Sequence, residues 1–156
     1  LAAKHPNAGA DIAALALDAL AEVMERSRVA RLTRFQHVLL RLGELIAYAE
    51  SAACLARRAA RAAEGRLHEK ASQRFDAAAL AALSRIFARE AALKVGAEGL
   101  RLVVGAGGAL DGQLTALETA LGLPAIHRAQ AGLIQDMDYA GDVLYGRVGK
   151  RAAASA

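Results

Sequence analysis

LTRFQHVLLRLGELIAYAESAACLARRAARAA, residues 32–63, holds no proline and one glycine, Gly43. Apolar residues recur at Phe35, Val38, Leu39, Leu42, Leu45, Ile46, Ala49, Ala52, Ala53, Ala56, Ala59, Ala60 and Ala63. Those steps of three and four put side chains on one helix face. A second apolar line runs through Leu40, Ala47, Tyr48 and Leu55. Two lines predict cover on more than one side, and so a helix in the middle of a bundle. At ~1.5 Å per residue the rod spans about 45–50 Å, and the other segments must pack along it.

The chain has 156 residues, enough for one domain with a core. With 55% hydrophobic and 23% charged residues it reads as globular rather than disordered. Alanine is frequent and strand formers are few, which predicts an all-α fold. No apolar run reaches the ~18–20 residues of a membrane span. The opening, LAAKHPNAG, has no initiator Met, basic n-region or apolar h-region. The expectation is a C-terminal piece of a longer chain, cytoplasmic or in another reducing compartment. A single cysteine, Cys54, excludes an internal disulfide and suits that compartment. Inside a long helix it is expected as a small buried apolar residue.

The net charge is +4, with Arg57, Arg58, Arg61 and Arg66 gathered at the end of the quoted stretch. The few aromatics are scattered and there is no Trp, which argues against nucleic acid. Arginines near a helix's end also suit its negative pole, so a solvated face is expected.

In chain order, residues 1–7 read as a lead-in, with Asn7 placed to cap. Residues 8–146 read as one helical domain and 147–156 as a loose tail. A first helix over about 8–28 carries Ile12, Leu15, Ala16, Ala19, Leu20, Val23 and Met24 inward. A short link follows, with Thr33 as cap, and makes this helix an antiparallel neighbour of the second. The second helix stops near Gly65. The third runs from Ser72 or Asp76 to Val104, with Leu80, Leu83, Phe87, Ala91, Val95 and Leu102 on one line and Ile86, Leu93, Leu100 and Val104 on another. The second and third helices should form the central antiparallel pair. Beyond the glycine stop at 105–108, a helix over about 111–121 turns Leu114, Leu117 and Leu121 inward. A short turn or helix spans 124–131. A last helix over about 133–145 has Ile134, Met137, Val143 and Leu144 as its apolar residues. The prediction is an antiparallel up-and-down bundle of four main helices plus a short one.

Local chemistry is sparse. Gly105, Gly107 and Gly108 invite a phosphate-loop reading, but a dinucleotide fingerprint needs a strand before it and a third glycine where Leu110 stands. His5, His37, His68 and His127 form no H-x-x-x-H pattern, so no metal site is expected. Ser51, Ser72, Ser84 and Thr115 lack a nucleophile signature. Glu90 and Glu98 lie near the apolar lines of the third helix, where a general base or a salt bridge to Arg41 or Arg57 would each fit. The salt bridge is preferred, and no catalytic residue is assigned.

The segment AALAALSRIFAREAALKVGAEGLRLVVGAGG, ending at Gly108, resembles the C-terminal helical domain of acyl-CoA dehydrogenases. There a helix reading A-x-x-K-[IL]-F-x-S-E-A-A-x-x-V precedes a glycine-rich end. The matching positions are Ala82, Arg85, Ile86, Phe87, Glu90, Ala91, Ala92 and Val95, then Gly105, Gly107 and Gly108. Upstream, HPNAGADIAALALDALAEVMER and QHVLLRLGELIAYAESAACLARRAARA are similar to the extra C-terminal domain of the very-long-chain type, an appended degenerate copy of the catalytic helical domain. The likeness covers roughly residues 5–146.

The family's catalytic domain carries Glu-Gly-Thr before its last helix, where this chain has Ile126 to Leu133 without a glutamate. A positioned base supplies ~10²–10⁴-fold, so its absence implies the non-catalytic copy. The resemblance implies that the parent enzyme is a FAD-dependent oxidoreductase of fatty acid β-oxidation. It removes hydrogens from a fatty acyl-CoA and passes electrons to an electron-transfer flavoprotein, while this piece packs against the catalytic body or a subunit interface of a homo-oligomer. It further implies that Gly105, Gly107 and Gly108 lie near FAD in the parent, with none held by the fragment. The Arg57, Arg58 and Arg61 cluster then faces CoA phosphates, a membrane surface or solvent. Residues alone leave open a second reading, a free-standing helical protein-interaction module.

Overall fold

In a computed structural model, residues 1–68, 70–71, 75–107 and 111–148 are described. Among them there is no strand, and six α-helices form: α1 (Ala10–Val29), α2 (Gln36–Ala63), α3 (Ala77–Gly105), α4 (Leu114–Ala120), α5 (Leu123–Arg128) and α6 (Leu133–Leu144). The all-helical expectation holds. Single-turn 3-10 segments at Pro6–Ala8, Leu32–Arg34 and Asp111–Gln113 lead into α1, α2 and α4.

Glycine and backbone geometry, rather than side-chain caps, set most helix ends. Gly9, with φ 73°, caps α1, and the Asn7 side chain does not. Thr33 sits inside a 3-10 turn, and Phe35, extended, starts α2 with no side-chain cap. α2 therefore begins at Gln36, a little beyond the expected cap at Thr33, because Phe35 is extended with φ −96° and ψ 120°. Asp76 caps α3 by accepting from the Ala79 N–H at 2.8 Å. Gly65 ends α2 as predicted, at φ 65°.

Tyr48 stacks on Phe87 at 5.8 Å, and Glu44 lies 2.9 Å from Lys94, so α2 and α3 run in opposite directions. Gly9 meets the backbone of Arg85 and Val23 meets Gly99, so α1 runs parallel to α3. Leu123 and Ile126 press on Gly96, and Asp136 reaches Arg85, so α5 and α6 return along α3.

The middle of the molecule is therefore α3, not α2. Its buried residues, Ala79, Leu80, Ala82, Ser84, Ala88, Arg89, Ala91, Ala92, Val95, Gly96, Gly99 and Val103, cover a wide arc and leave a stripe through Glu90, Leu93, Ala97, Arg101 and Val104 outside. Most are alanine or glycine, which lets neighbouring helices approach closely while contributing little to an apolar pattern. α2 buries Val38, Leu42, Leu45, Ala49, Ala52, Ala56 and Ala59 on one face but leaves Phe35, Leu39, Leu40 and Ile46 exposed, as a rim helix does. On α1, Met24 is exposed and Ser27 takes the next inward position.

Candidate functional site

The glycine end of α3 is the first place to look. The Ala106 N–H donates to Leu102 O at 3.2 Å and the Gly107 N–H to Val104 O at 2.9 Å, with Gly107 at φ 74°. This is a helix stop of the left-handed kind. A Cβ on Gly105 or Gly107 would meet nothing within 4 Å, so no close approach demands glycine at Gly105. Gly108 lies outside the described residues. Beside this end, Leu32, Phe35, Val38 and Leu102 line a groove of about 370 Å³ together with His37 and Arg101. The Arg34 guanidinium sits 4.9 Å from the Phe35 ring, and the His37 ring 5.9 Å from it. A flavin dinucleotide needs donors for its pyrophosphate. Here the two end amides close the helix, and Arg101 lies 3.2 Å from Glu98.

A denser polar cluster lies where α6 meets α3, and the sequence reading did not single it out. Arg89, 6% exposed, donates through Nε to Ala129 O at 2.7 Å and through Nη2 to Ala131 O at 2.8 Å, which fixes the α5–α6 turn. Its Nη1 donates to Asp136 Oδ2 at 2.6 Å. Arg85 forks onto the same carboxylate and donates to Asn7 O at 2.6 Å. Burial pushes the Asp136 carboxyl up, but hydrogen bonds and charge from Arg85 and Arg89 outweigh it and hold it below its ordinary 3.8. Asp136 in turn raises Arg85. Ser84, fully buried, donates to Ala8 O at 2.7 Å, so α3 grips the N-terminal turn as well. Each guanidinium nitrogen of Arg85 and Arg89 donates to an acceptor within the fold, the pattern of a clasp. One signal was available. In the dehydrogenase-like pattern, Arg89 stands where the serine belongs, four residues from Arg85 and on the same face.

The clasp also sets the register of α6. Asp136 and Ala140 face α3, which turns Ile134 (65% exposed), Met137 (49%) and Leu144 (52%) to the outside, where Tyr145 joins them. The inward face thus carries the ion pair together with Ala140 and the half-buried Leu133, Tyr139 and Val143. On α4, Leu117 is buried as expected while Leu114 is partly exposed.

Other candidates resolve individually. Cys54 is exposed rather than buried, and Arg57 Nη2 donates to its Sγ at 3.2 Å. Arg41 pairs with Glu44 at 3.1 Å. Glu98 pairs with Arg101 on its own helix and Glu90 is exposed, so neither Arg41 nor Arg57 bridges to them. Lys4, His5 and Arg66 converge on Glu64. Hydrogen bonds from Lys4, then His5, then Arg66 bring its carboxyl down to about 2 against the opposing effect of burial. The His68 Nδ1 accepts from the Lys70 N–H at 3.1 Å, and His127 is exposed. Among the described residues no three His, Cys, Asp or Glu side chains gather to hold a metal ion. Ser72 lies outside the described residues.

Compared with family models, curated proteins and solved structures, the chain finds no match. No helix among the described residues is long and apolar enough to cross a membrane.

Proposed function

We propose that this chain is the non-catalytic C-terminal helical domain of a FAD-dependent acyl-CoA dehydrogenase, packed against the catalytic body or a subunit interface of a homo-oligomer. FAD and the electron-transfer flavoprotein are partners of the parent enzyme. The carrying observation is the outward apolar stripe of α6, Ile134, Met137 and Leu144, continued by Tyr145. A helix already anchored on its other face by Asp136 has this stripe free for a further surface. The motif likeness on α3 supports the family. The helix directions support an up-and-down bundle of that family's C-terminal type.

The same stripe serves a free-standing interaction module, and one observation separates the two. In the dehydrogenase reading, the gene's reading frame upstream of Leu1 encodes a flavin-binding region. The purified chain then shows a helical circular dichroism spectrum, leaves FAD absorbance unshifted and does not oxidise acyl-CoA. Acyl-CoA oxidation by residues 1–156 alone overturns the non-catalytic assignment. An upstream frame without a flavin-binding region turns the reading to the interaction module.

A further inference from the structure

Cys54, Arg57, Arg58 and Arg61 follow at steps of three, one and three along α2, and so share one face. The chain leaving α2 folds back over that face, and Arg66, Leu67, His68 and Ala71 complete a groove of about 720 Å³. Among the described residues no carboxylate lines it. Arg57 and Arg61, four apart, repel each other, a spacing that weakens a helix unless an anion lies between them. Arg57 Nη2 donates to the Cys54 Sγ at 3.2 Å, and Arg61 has no ion pair among the described residues. Glu64, the next acid along the chain, is already shared by Lys4, His5 and Arg66. Only Arg61 lies in the last turn of α2, so the helix's negative pole does not account for Arg57.

We propose that this groove binds a small phosphate-bearing molecule, a phosphate monoester or diphosphate. Arg57 and Arg61 fork onto its oxyanions, and Leu67 and Ala71 flank the ester's apolar part. Planar guanidinium forks match phosphate oxygens in pairs, which an ammonium cannot do. The inference is independent of the dehydrogenase reading and survives or fails without it.

Isothermal titration of the full chain with sodium pyrophosphate at low salt tests it, against Arg57→Gln/Arg61→Gln. A control removes the same charge from α1, Arg26→Gln/Arg28→Gln. Saturable one-to-one binding that weakens about tenfold or more in the groove variant and little in the control is expected. Pyrophosphate should also slow iodoacetamide alkylation of Cys54 in the parent chain and not in the groove variant. Circular dichroism checks that all three chains are equally helical. In a second arm, phosphatidylcholine vesicles with and without phosphatidic acid distinguish the source. Binding to phosphatidic acid but not pyrophosphate, lost in the groove variant, keeps the phosphate chemistry and places it on a lipid. No saturable binding to either probe, or equal binding by the groove variant and the control, overturns the proposal.

Discussion

Where α1 meets α3, Gly99 takes the Val23 side chain against a bare Cα. Where α6 meets α3, Asp136 takes two guanidiniums. The first contact rests on shape. Alanines and glycines along α1, α2 and α3 bring helices close enough for dispersion and burial to act over long faces. The second rests on a few directed bonds around one carboxylate, with the apolar stripe of the same helix facing away. Regions held so differently should fail differently.

The largest effect is expected at Arg89. Arg89→Ala leaves Ala129 O and Ala131 O without their donor and Asp136 with Arg85 alone. Removing one partner of a buried pair costs about 3–5 kcal/mol. The loss should be local. Hydrogen exchange should show the α6 amides deprotected while the α1–α3 amides keep their protection. Equal loss in both regions would mean that the clasp and the core are one cooperative unit.

The shape-held contact is probed at Gly99. A Cβ there overlaps Val23 Cγ2, and Val23 is fully buried and β-branched, so it has little room to yield. Gly99→Ala gains about 1 kcal/mol of helix propensity but meets overpacking of about 1–3 kcal/mol. Urea melts should give a net loss of up to about 2 kcal/mol, shared by α1, α2 and α3 rather than confined to α6. Gly43, exposed on α2 with nothing within 4 Å of its Cβ position, is the control. Gly43→Ala should gain up to about 1 kcal/mol.

This contrast also explains what was legible in the residues. The three long helices and their stops at Gly65 and Gly107 follow from periodicity and glycine placement. The central position of α3 does not, because its inward residues are mostly Ala82, Ala88, Ala91, Ala92, Gly96 and Gly99. Small side chains give a weak apolar signal while permitting the closest packing. The richer apolar pattern of α2 pointed to the wrong centre, since Leu39, Leu40 and Ile46 remain outside. The register of α6 was hidden for a different reason. Its apolar residues divide between two faces, with Leu133 and Val143 half-buried and Ile134, Met137 and Leu144 outside. The charges that pin the inward face sit on α3, with α4 and α5 between them in the chain. Arg89 itself was passed over because periodicity counts it as polar and assigns it outward.

Acid should act on the clasp before the core. The folded Asp136 carboxyl lies below its ordinary 3.8, so it is a stronger acid when folded than when unfolded. Its contribution is fully present above about pH 5 and is lost as pH falls through and below its unfolded value of about 4. Hydrogen exchange or nuclear magnetic resonance across that window should show α6 loosening first. Asp136→Asn should flatten this pH dependence in α6. Glu64, brought down to about 2, titrates in the same direction but lies at the α2 end, so its pH response should map to Lys4, His5 and Arg66 instead.

The smallest effect compares two buried serines. Ser84 and Ser27 are both fully buried. Ser84 donates to Ala8 O at 2.7 Å, whereas the Ser27 hydroxyl has no hydrogen-bond partner among the described residues. Replacing Ser84 by alanine strands a buried carbonyl and should cost about 1–2 kcal/mol. Replacing Ser27 removes a desolvated hydroxyl that gains nothing in return, so Ser27→Ala should be neutral or stabilising by up to about 1 kcal/mol. Urea melts of the two variants should therefore shift in opposite directions or differ clearly in size. Equal losses would place an ordered water on Ser27 and make the α1–α3 seam less purely a matter of shape than Gly99 and Val23 indicate.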